Sequence, residues 1–319
     1  MSPIRFALAS VSRPGSRARL SVLIFHRVLP DVDAIFPEEM HQRRFEQTCQ
    51  WLKAWFNVLP LDAAVRQLQS GTLPSRACCI TFDDGYADNL AVAVPILQRH
   101  GLCATFFIAT GYLDGGRMWN DTVIESIRRC SRPDLHLGEL GSYELQGPVQ
   151  RRKAIDALLG KIKYMAPDER VQAGARLAEQ AEVELPTDLM MRADEVRKMR
   201  QAGMQIGAHT VNHPILAKLA SGPAGAEIQD SRLFLQDLLQ ERIGLFAYPN
   251  GKPGTDYLPE HVAMVRELGF DAAVSTAWGA AGPGTDRFQI PRFTPWDRSR
   301  TGFGARLVRN LVTTSSANR

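Results

Sequence analysis

The stretch Ala77-Cys-Cys-Ile-Thr-Phe-Asp-Asp-Gly85 decides the fold. Its first six residues carry no charge and are typical of a strand that is buried on both faces. That strand ends at two adjacent carboxylates and a glycine. Because strands buried on both faces belong to parallel sheets covered by helices, we predict an α/β fold. Asp83 and Asp84 would then lie at the carboxyl end of a central strand.

Strand-like and helix-like segments alternate along the rest of the chain. The predicted strands are 19–25, 77–82, 104–109, 205–208, 244–248 and 271–275, and the predicted helices are 45–55, 89–100, 192–202, 227–240 and 257–268. About seven units of this kind favour a parallel sheet that forms a closed or nearly closed barrel. The polar stretch at about 119–184 is rich in helical patterns and has no strand signal, so we predict a helical insertion there.

The charge is unevenly distributed over the 319 residues, which are enough for one domain. Residues 1–19 carry four arginines and residues 301–319 carry three, with no acid in either segment. Subtracting these seven from the net charge of +4 leaves −3 for the body. We therefore predict basic tails at 1–19 and 301–319 around a single domain at 20–300.

These charges also bear on partners and location. The body has no basic groove, so no nucleic-acid partner is expected. No export signal is recognisable, which predicts a cytoplasmic protein. The basic tails would suit weak contact with the inner membrane surface, with solvated ends as the alternative. The residues that would form a short interfacial helix are Phe303, Arg306, Leu307, Val308, Arg309 and Leu311.

Polar residues follow several of the predicted strands directly. In parallel α/β folds the active site collects at the carboxyl ends of the strands, so these residues should share one rim. They are His26, Asp83, Asp84, His209, Tyr248, Pro249 and Asn250.

The acid pair and a histidine pair indicate a metal site. Adjacent carboxylates repel each other unless a cation or a shared proton compensates, although one of them could simply cap the next helix. His209-Thr-Val-Asn-His213-Pro214 supplies two imidazoles four residues apart, which would share one face of a helical turn. Imidazole and carboxylate together suit zinc and related divalent metals.

Taken together, these motifs resemble those of the polysaccharide deacetylase (NodB-homology) family. Thr81-Phe-Asp-Asp-Gly85 and the segment from His209 to Pro214 match its first two motifs, and Phe246-Ala-Tyr-Pro-Asn-Gly251 is similar to the third. The resemblance covers about 20–292. It implies a distorted (β/α) barrel, one divalent metal and an acetylated amino-sugar substrate. Zinc is the expected metal, with cobalt or nickel as alternatives.

The resemblance also assigns roles to individual residues. Asp84, His209 and His213 would hold the metal, and Asp83 would be the catalytic base. Tyr248, Pro249 and Asn250 would form the substrate side of the third motif, with the Tyr248 ring against the sugar and a backbone N–H near it at the oxyanion. Trp119 would stack on a sugar or anchor the insertion.

The sequence departs from the family pattern at two points. The arginine that begins the third motif is replaced by Phe246-Ala247, so we predict that Arg292 orients the base; a surface or salt-bridging arginine is the alternative. The final Leu-x-His motif has no counterpart. His26 would donate the proton to the leaving amine or shape the pocket, and a histidine without a catalytic function is the alternative.

The predicted enzyme is a hydrolase that acts on carbon–nitrogen bonds other than peptide bonds and removes N-acetyl groups from an amino-sugar polymer, oligomer or precursor. Two alternatives stay open. The same scaffold could hydrolyse another C–N amide or an O-acetyl ester, or the chain could bind carbohydrate without catalysis. The intact set of Asp83, Asp84, His209 and His213 argues against the inactive protein.

Overall fold

A parallel sheet of seven strands forms the centre of the computed structural model, which describes residues 3–313. The strands are β1 (Leu20–Phe25), β2 (Asn57–Val58), β3 (Ala77–Phe82), β4 (Thr105–Ile108), β7 (Gln205–Ala208), β8 (Leu245–Ala247) and β9 (Ala272–Val274). Their order in the sheet is β1-β3-β4-β7-β8-β9, and β2 pairs with β3. The predicted α/β fold with about seven parallel strands is confirmed.

The segment after β9 joins the two edges of this sheet. Ile290 pairs in parallel with Val274 of β9, and Phe293 pairs in parallel with Leu23 of β1. The Phe293 N–H donates a hydrogen bond of 2.7 Å to the carbonyl of Val22. These bridges satisfy edge groups that would otherwise be unpaired and curl the sheet into a distorted barrel, as predicted.

Helices cover the outside of the barrel. A helix next to a sheet needs one apolar stripe, and α3 shows the pattern, because Leu61, Ala64, Val65 and Leu68 are its buried residues. The helices are α1 (Pro3–Val11), α2 (Gln42–Trp55), α3 (Leu61–Gln69), α4 (Val94–His100), α5 (Trp119–Arg129), α6 (Gly147–Ile162), α7 (Pro167–Gln180), α8 (Ala193–Gln201), α9 (Ser221–Leu239), α10 (Pro259–Glu267) and α11 (Arg300–Val312). A π-helical turn at Asn89–Ala93 precedes α4.

The insertion has a small core of its own. Helices α5, α6 and α7 pack around buried residues such as Val123, Ile155 and Leu177. The prediction that it contains no strand is wrong, because β5 (Asp134–His136) and β6 (Ser142–Glu144) form an antiparallel hairpin. Strands of three residues are too short to produce a recognisable alternation of polar and apolar residues.

The segments predicted as basic tails are helical in their described parts. Helix α1 packs against α11. Phe303, Leu307 and Leu311 are buried in the main core, so they are not available for an interfacial helix, and this part of the membrane prediction is wrong. Arg319, one of the three arginines of the predicted C-terminal basic tail, lies outside the described residues. Within residues 3–313, no helix has both the length and the apolarity of a membrane span.

Candidate active site

Asp83 and Asp84 lie where β3 ends, and both line one cavity. Their side chains are almost entirely buried, with 3% and 7% of each residue exposed. The backbone turns sharply here, because Asp84 has φ 80° and Gly85 has φ 93°. A positive φ is costly for an aspartate, and such conformations cluster at functional sites. This turn replaces the alternation of a strand, which would send the two carboxylates to opposite faces.

Asp84, His209 and His213 form a cluster that could hold a metal ion. Each offers one ligand atom, and the three atoms lie within 4.8 Å of one another. The Nε2 atoms of His209 and His213 are each 3.5 Å from Oδ1 of Asp84. Among the described residues, that buried oxygen has no hydrogen-bond partner. A buried carboxylate oxygen facing two imidazoles fits a divalent cation, since buried polar atoms are normally paired.

The two histidines meet across a loop and not on a helical turn, so that element of the prediction is wrong. Thr210 and His213 have φ values of 63° and 50°, which bend the segment back on itself. Glu227 of α9 fixes the loop, because one of its oxygens accepts hydrogen bonds from the N–H groups of Val211 (2.9 Å) and Asn212 (2.8 Å). Sequence reasoning missed Glu227, which lies outside the motif in the α-helix that follows it.

Hydrogen bonding fixes the orientation of His209. Its Nδ1 lies 2.7 Å from the carbonyl oxygen of Ala247, which can only accept, so Nδ1 carries a proton and Nε2 faces the cluster. Burial favours its neutral form, but the carboxylates of Asp83 and Asp84 raise the pKa of His209 above its usual value. Burial lowers the pKa of His213 to about 4. A neutral imidazole is the form that binds a metal.

Arg292 holds the other carboxylate. Its Nη1 and Nη2 donate to the two oxygens of Asp83, both at 2.7 Å, and its Nε donates to the carbonyl of Ser275 at 2.9 Å. Arg292 is only 1% exposed, so it does not form a surface ion pair. Burial opposes the charge of Asp83, but the guanidinium keeps the pKa of that carboxyl below its usual value. Asp83 is therefore ionised and fixed in position.

The cavity over these residues has a volume of about 390 Å³. His26 and Asn250 line it, as predicted from their positions after strands. Trp119 also lines it and packs against the core of the insertion, so its position is compatible with both of its predicted roles. Insertion residues Leu159, Gly160, Lys163 and Arg170 also line it, so the insertion forms one wall.

Tyr248 and Pro249 do not reach this cavity. Tyr248 is fully buried and stacks on Tyr257 with ring centroids 3.8 Å apart, so the prediction that its ring contacts the substrate is wrong. Its backbone N–H donates to Val274 at 3.2 Å and is not free for an oxyanion. The ring continues the alternation of β8, because Tyr248 lies on the face of Phe246 that packs under the helices, whereas Leu245 and Ala247 pack on the other face of the sheet.

The backbone around His26 is held by two residues that sequence reasoning missed. The side-chain amide of Asn89 donates to the His26 carbonyl at 2.9 Å. Asp88 accepts from the N–H of Val28 at 3.0 Å and from Nε of Arg27 at 2.8 Å. Both residues are buried, and a polar pair at the start of a buried helical turn is the signal that could have found them.

An acid pair, two histidines and a buried arginine gather where the barrel strands end. This arrangement defines the class of the protein as a (β/α)-barrel hydrolase with a carboxylate–histidine site. The sequence profile described as "Polysaccharide deacetylase" matches residues 70–273, more than half of the chain. The chain belongs to the polysaccharide deacetylase family, and it is thus a hydrolase of the kind that acts on carbon–nitrogen bonds.

Comparison with individual proteins also finds deacetylases. A provisionally named polysaccharide deacetylase of Bacillus subtilis (strain 168), YxkH, is 21% identical over 266 residues, which cover 83% of this chain and 67% of that protein. The fold is similar to that of IcaB from Ammonifex degensii, with a TM-score of 0.60, 18% identity and coverage of 95% and 100%. Streptococcus pyogenes deacetylase PplD, solved in complex with acetate, gives a TM-score of 0.59, 18% identity and coverage of 93% and 99%.

Proposed function

We propose that this protein is a metal-dependent hydrolase that removes N-acetyl groups from an amino-sugar oligosaccharide, polysaccharide or precursor. The observation that carries the proposal is the position of the Asp84, His209 and His213 cluster beside Asp83, whose charge Arg292 fixes. In this arrangement Asp84 is available to bind a cation, and Asp83 is available to act as a base.

Asp84, His209 and His213 would hold one divalent ion, zinc by the nature of these ligands, with cobalt or nickel as alternatives. Bound there, the ion would supply Lewis acidity toward the acetamido carbonyl and lower the pKa of water. Three protein ligands leave coordination positions open, in contrast to a structural zinc site with four.

The residues of the chain then move the protons. Asp83 lines the cavity and is ionised, so it accepts a proton from the attacking water as the new C–O bond forms. The C–N bond breaks, acetate is released, and the amine nitrogen takes a proton. His26 lines the same cavity and has a backbone fixed by Asn89, so we assign the donation of that proton to His26.

Two features of the cavity support a sugar substrate. Its volume of about 390 Å³ lies in the range of small-molecule sites. Trp119 offers an aromatic surface and Asn250 an amide at its wall, which suit the apolar faces and hydroxyl groups of a pyranose. The acetate in the Streptococcus pyogenes structure is the acyl product that we propose here.

The test combines metal analysis with acetate release from N-acetylglucosamine oligomers. Wild type should bind close to one divalent ion and release acetate, Asp83→Asn should keep the ion but lose the activity, and Asp84→Asn should lose both. Asp230→Asn, on the exposed side of α9, is the matched control and should behave like wild type. Absence of metal from wild type after reconstitution would contradict the proposal, and metal binding without acetate release would redirect it to another acyl substrate.

A cytoplasmic location and weak contact with the inner membrane surface are also proposals. Phe303, Leu307 and Leu311 of α11 are buried, so we assign this contact to exposed side chains such as Phe6, which is 67% exposed beside Arg5 on α1. An aromatic residue among arginines suits an anionic lipid surface. Cosedimentation with anionic vesicles, compared between wild type and Phe6→Ser, tests it, and equal binding of both proteins would contradict a contact through Phe6.

A further inference from the structure

A second chamber opens beside the metal cavity. Its volume is about 280 Å³, and it shares three lining residues, His26, Asp84 and Asn120, with the first cavity. A ligand that places its acetamido group over Asp84 could therefore extend into this chamber. The proposed chemistry uses groups that line the first cavity and assigns no function to the rest of this chamber.

Asp121 of the insertion lies in the wall of this second chamber. It is only 4% exposed, and both of its carboxylate oxygens accept from the hydroxyl of Tyr86, at 3.2 and 3.1 Å. Tyr86 is itself buried and is fixed by the guanidinium of Arg27, which lies 4.6 Å from the centre of its ring. The carboxyl group therefore has a fixed orientation in the wall of the second chamber, next in sequence to Asn120, which lines both chambers.

Asp121 lies in the first turn of α5, where a carboxylate is favoured, but its burial costs free energy. Within residues 3–313, the Tyr86 hydroxyl is the hydrogen-bond donor to the Asp121 carboxyl, and no cationic side chain lies within 4.0 Å of it. Burial raises the pKa of Asp121 to about 7, which reflects the free energy that its charged form costs. Because a carboxyl group has more acceptor positions than one hydroxyl can use, Asp121 retains the capacity to bind another donor.

We propose that Asp121 is a substrate-binding residue that accepts a hydrogen bond from a hydroxyl of the sugar unit next to the one being deacetylated, which occupies the second chamber. This inference rests on the proposed function for the identity of the sugar. Trp296 supports it independently, because its indole is 64% exposed and lies in the wall of the same chamber, where it can stack on a pyranose ring. The insertion then contributes to specificity and not only to the wall of the metal cavity.

Binding is tested apart from turnover. The affinity for the N-acetylglucosamine tetramer is measured by calorimetry in metal-loaded protein carrying Asp83→Asn, with and without Asp121→Ala. The dissociation constant should rise about 10-fold, as expected for one lost hydrogen bond to a charged or buried group. Asp121→Asn, which keeps one carbonyl acceptor, should give a smaller rise. Asp230→Asn is the control and should leave the affinity unchanged.

Kinetics provide the second readout. With Asp83 intact, Asp121→Ala should raise KM for the tetramer about 10-fold and leave KM for the monosaccharide within a factor of two, because the monosaccharide does not reach the second chamber. Metal content and the thermal unfolding midpoint report whether the variant is folded. Three results would overturn the inference. They are an unchanged affinity of Asp121→Ala for the tetramer, failure of the Asp83→Asn parent to bind the tetramer, and an equal rise of KM for the tetramer and the monosaccharide. Failure of the proposed function is distinguished by a wild type that binds the tetramer but releases no acetate.

Discussion

Arg292 and Asp83 are separated by 209 residues and form a buried ion pair with two parallel hydrogen bonds of 2.7 Å. The pair connects the segment that closes the barrel to the strand that carries the acid motif. Arg292 also donates to Thr81 at 3.2 Å, so it contacts both the end of β3 and the first residue beyond it. Its planar donor fork fixes the carboxylate more firmly than a lysine would.

Arg292→Lys should reduce acetate release about 100-fold, because small displacements of a catalytic group have effects of this size. Arg292 lowers the pKa of Asp83, so its loss should raise that pKa and move the acidic limb of the pH–rate profile to higher pH. The profile of kcat/KM measures both effects, with Arg287→Lys at an exposed position of the same segment as the control. An unshifted limb would contradict the orienting function of Arg292.

Glu227→Gln should weaken metal binding about 10- to 100-fold, the usual effect of removing a partner that orients metal ligands. One oxygen of its carboxylate accepts from both backbone N–H groups of the loop, and the other accepts from the side-chain amide of Asn212. Glutamine keeps the first contact only through a weaker neutral acceptor and turns a donor toward the Asn212 amide. Competition with a chelator measures the affinity. Glu241→Gln, whose wild-type carboxylate pairs with Arg200 at the surface, is the matched control. Equal affinities for both variants would mean that the loop holds its shape without Glu227.

Leu307→Ala should lower the free energy of unfolding by about 2–5 kcal/mol, the range for a fully buried leucine that leaves a cavity. Leu307 is a core residue of the helix that packs on α1, so the terminal segment contributes to the stability of the barrel. Denaturant unfolding measures the change. Val312→Ala, at a position that is 58% exposed on the same helix, should change the stability by less than about 0.5 kcal/mol. Similar values for the two variants would indicate that α11 does not pack on the core in solution.

Asp121→Asn should make the metal-free protein more stable at pH 8 than wild type, although it weakens substrate binding. The pKa of Asp121 is raised to about 7 in the folded protein, against about 3.9 in an unfolded chain. Folded wild type therefore binds more protons than the unfolded chain between these values, and its stability falls as the pH rises through this window. A difference of about three pKa units corresponds to on the order of 4 kcal/mol in the free energy of unfolding, which wild type loses between low and high pH.

This gain in stability should fall to less than about 0.5 kcal/mol near pH 4, where the folded state carries the proton and about half of the unfolded chains do. Denaturant unfolding of both proteins at pH 4 and pH 8 measures it. If Asp121 only stabilised the fold, Asp121→Asn would be less stable than wild type at pH 8, because the substitution would remove a stabilising carboxylate. A loss of stability in Asp121→Asn at pH 8 would therefore contradict the assignment of Asp121 to substrate binding.

Much of the site could be predicted because parallel strands impose a simple rule. Residues that directly follow buried strands meet at one rim, and this rule predicts from the sequence that Asp83, Asp84, His209 and His26 lie together. The rule says nothing about side-chain direction, so Tyr248 was predicted to face the substrate but stacks on Tyr257 in the core. Likewise, a spacing of four residues indicated that the histidines converge but not that a bent loop brings them together.

The sequence by itself determined the class of fold, the order of the strands along the chain and the residue types at their ends, because burial and periodicity are local properties of a chain. Only the tertiary structure decided which groups from other elements contact the residues at the strand ends. Arg292 reaches Asp83 because the segment 290–293 closes the barrel, Glu227 reaches the histidine loop from α9, and Asp121 reaches the second chamber from the insertion. These contacts depend on how elements far apart in sequence pack, and no local pattern encodes that packing.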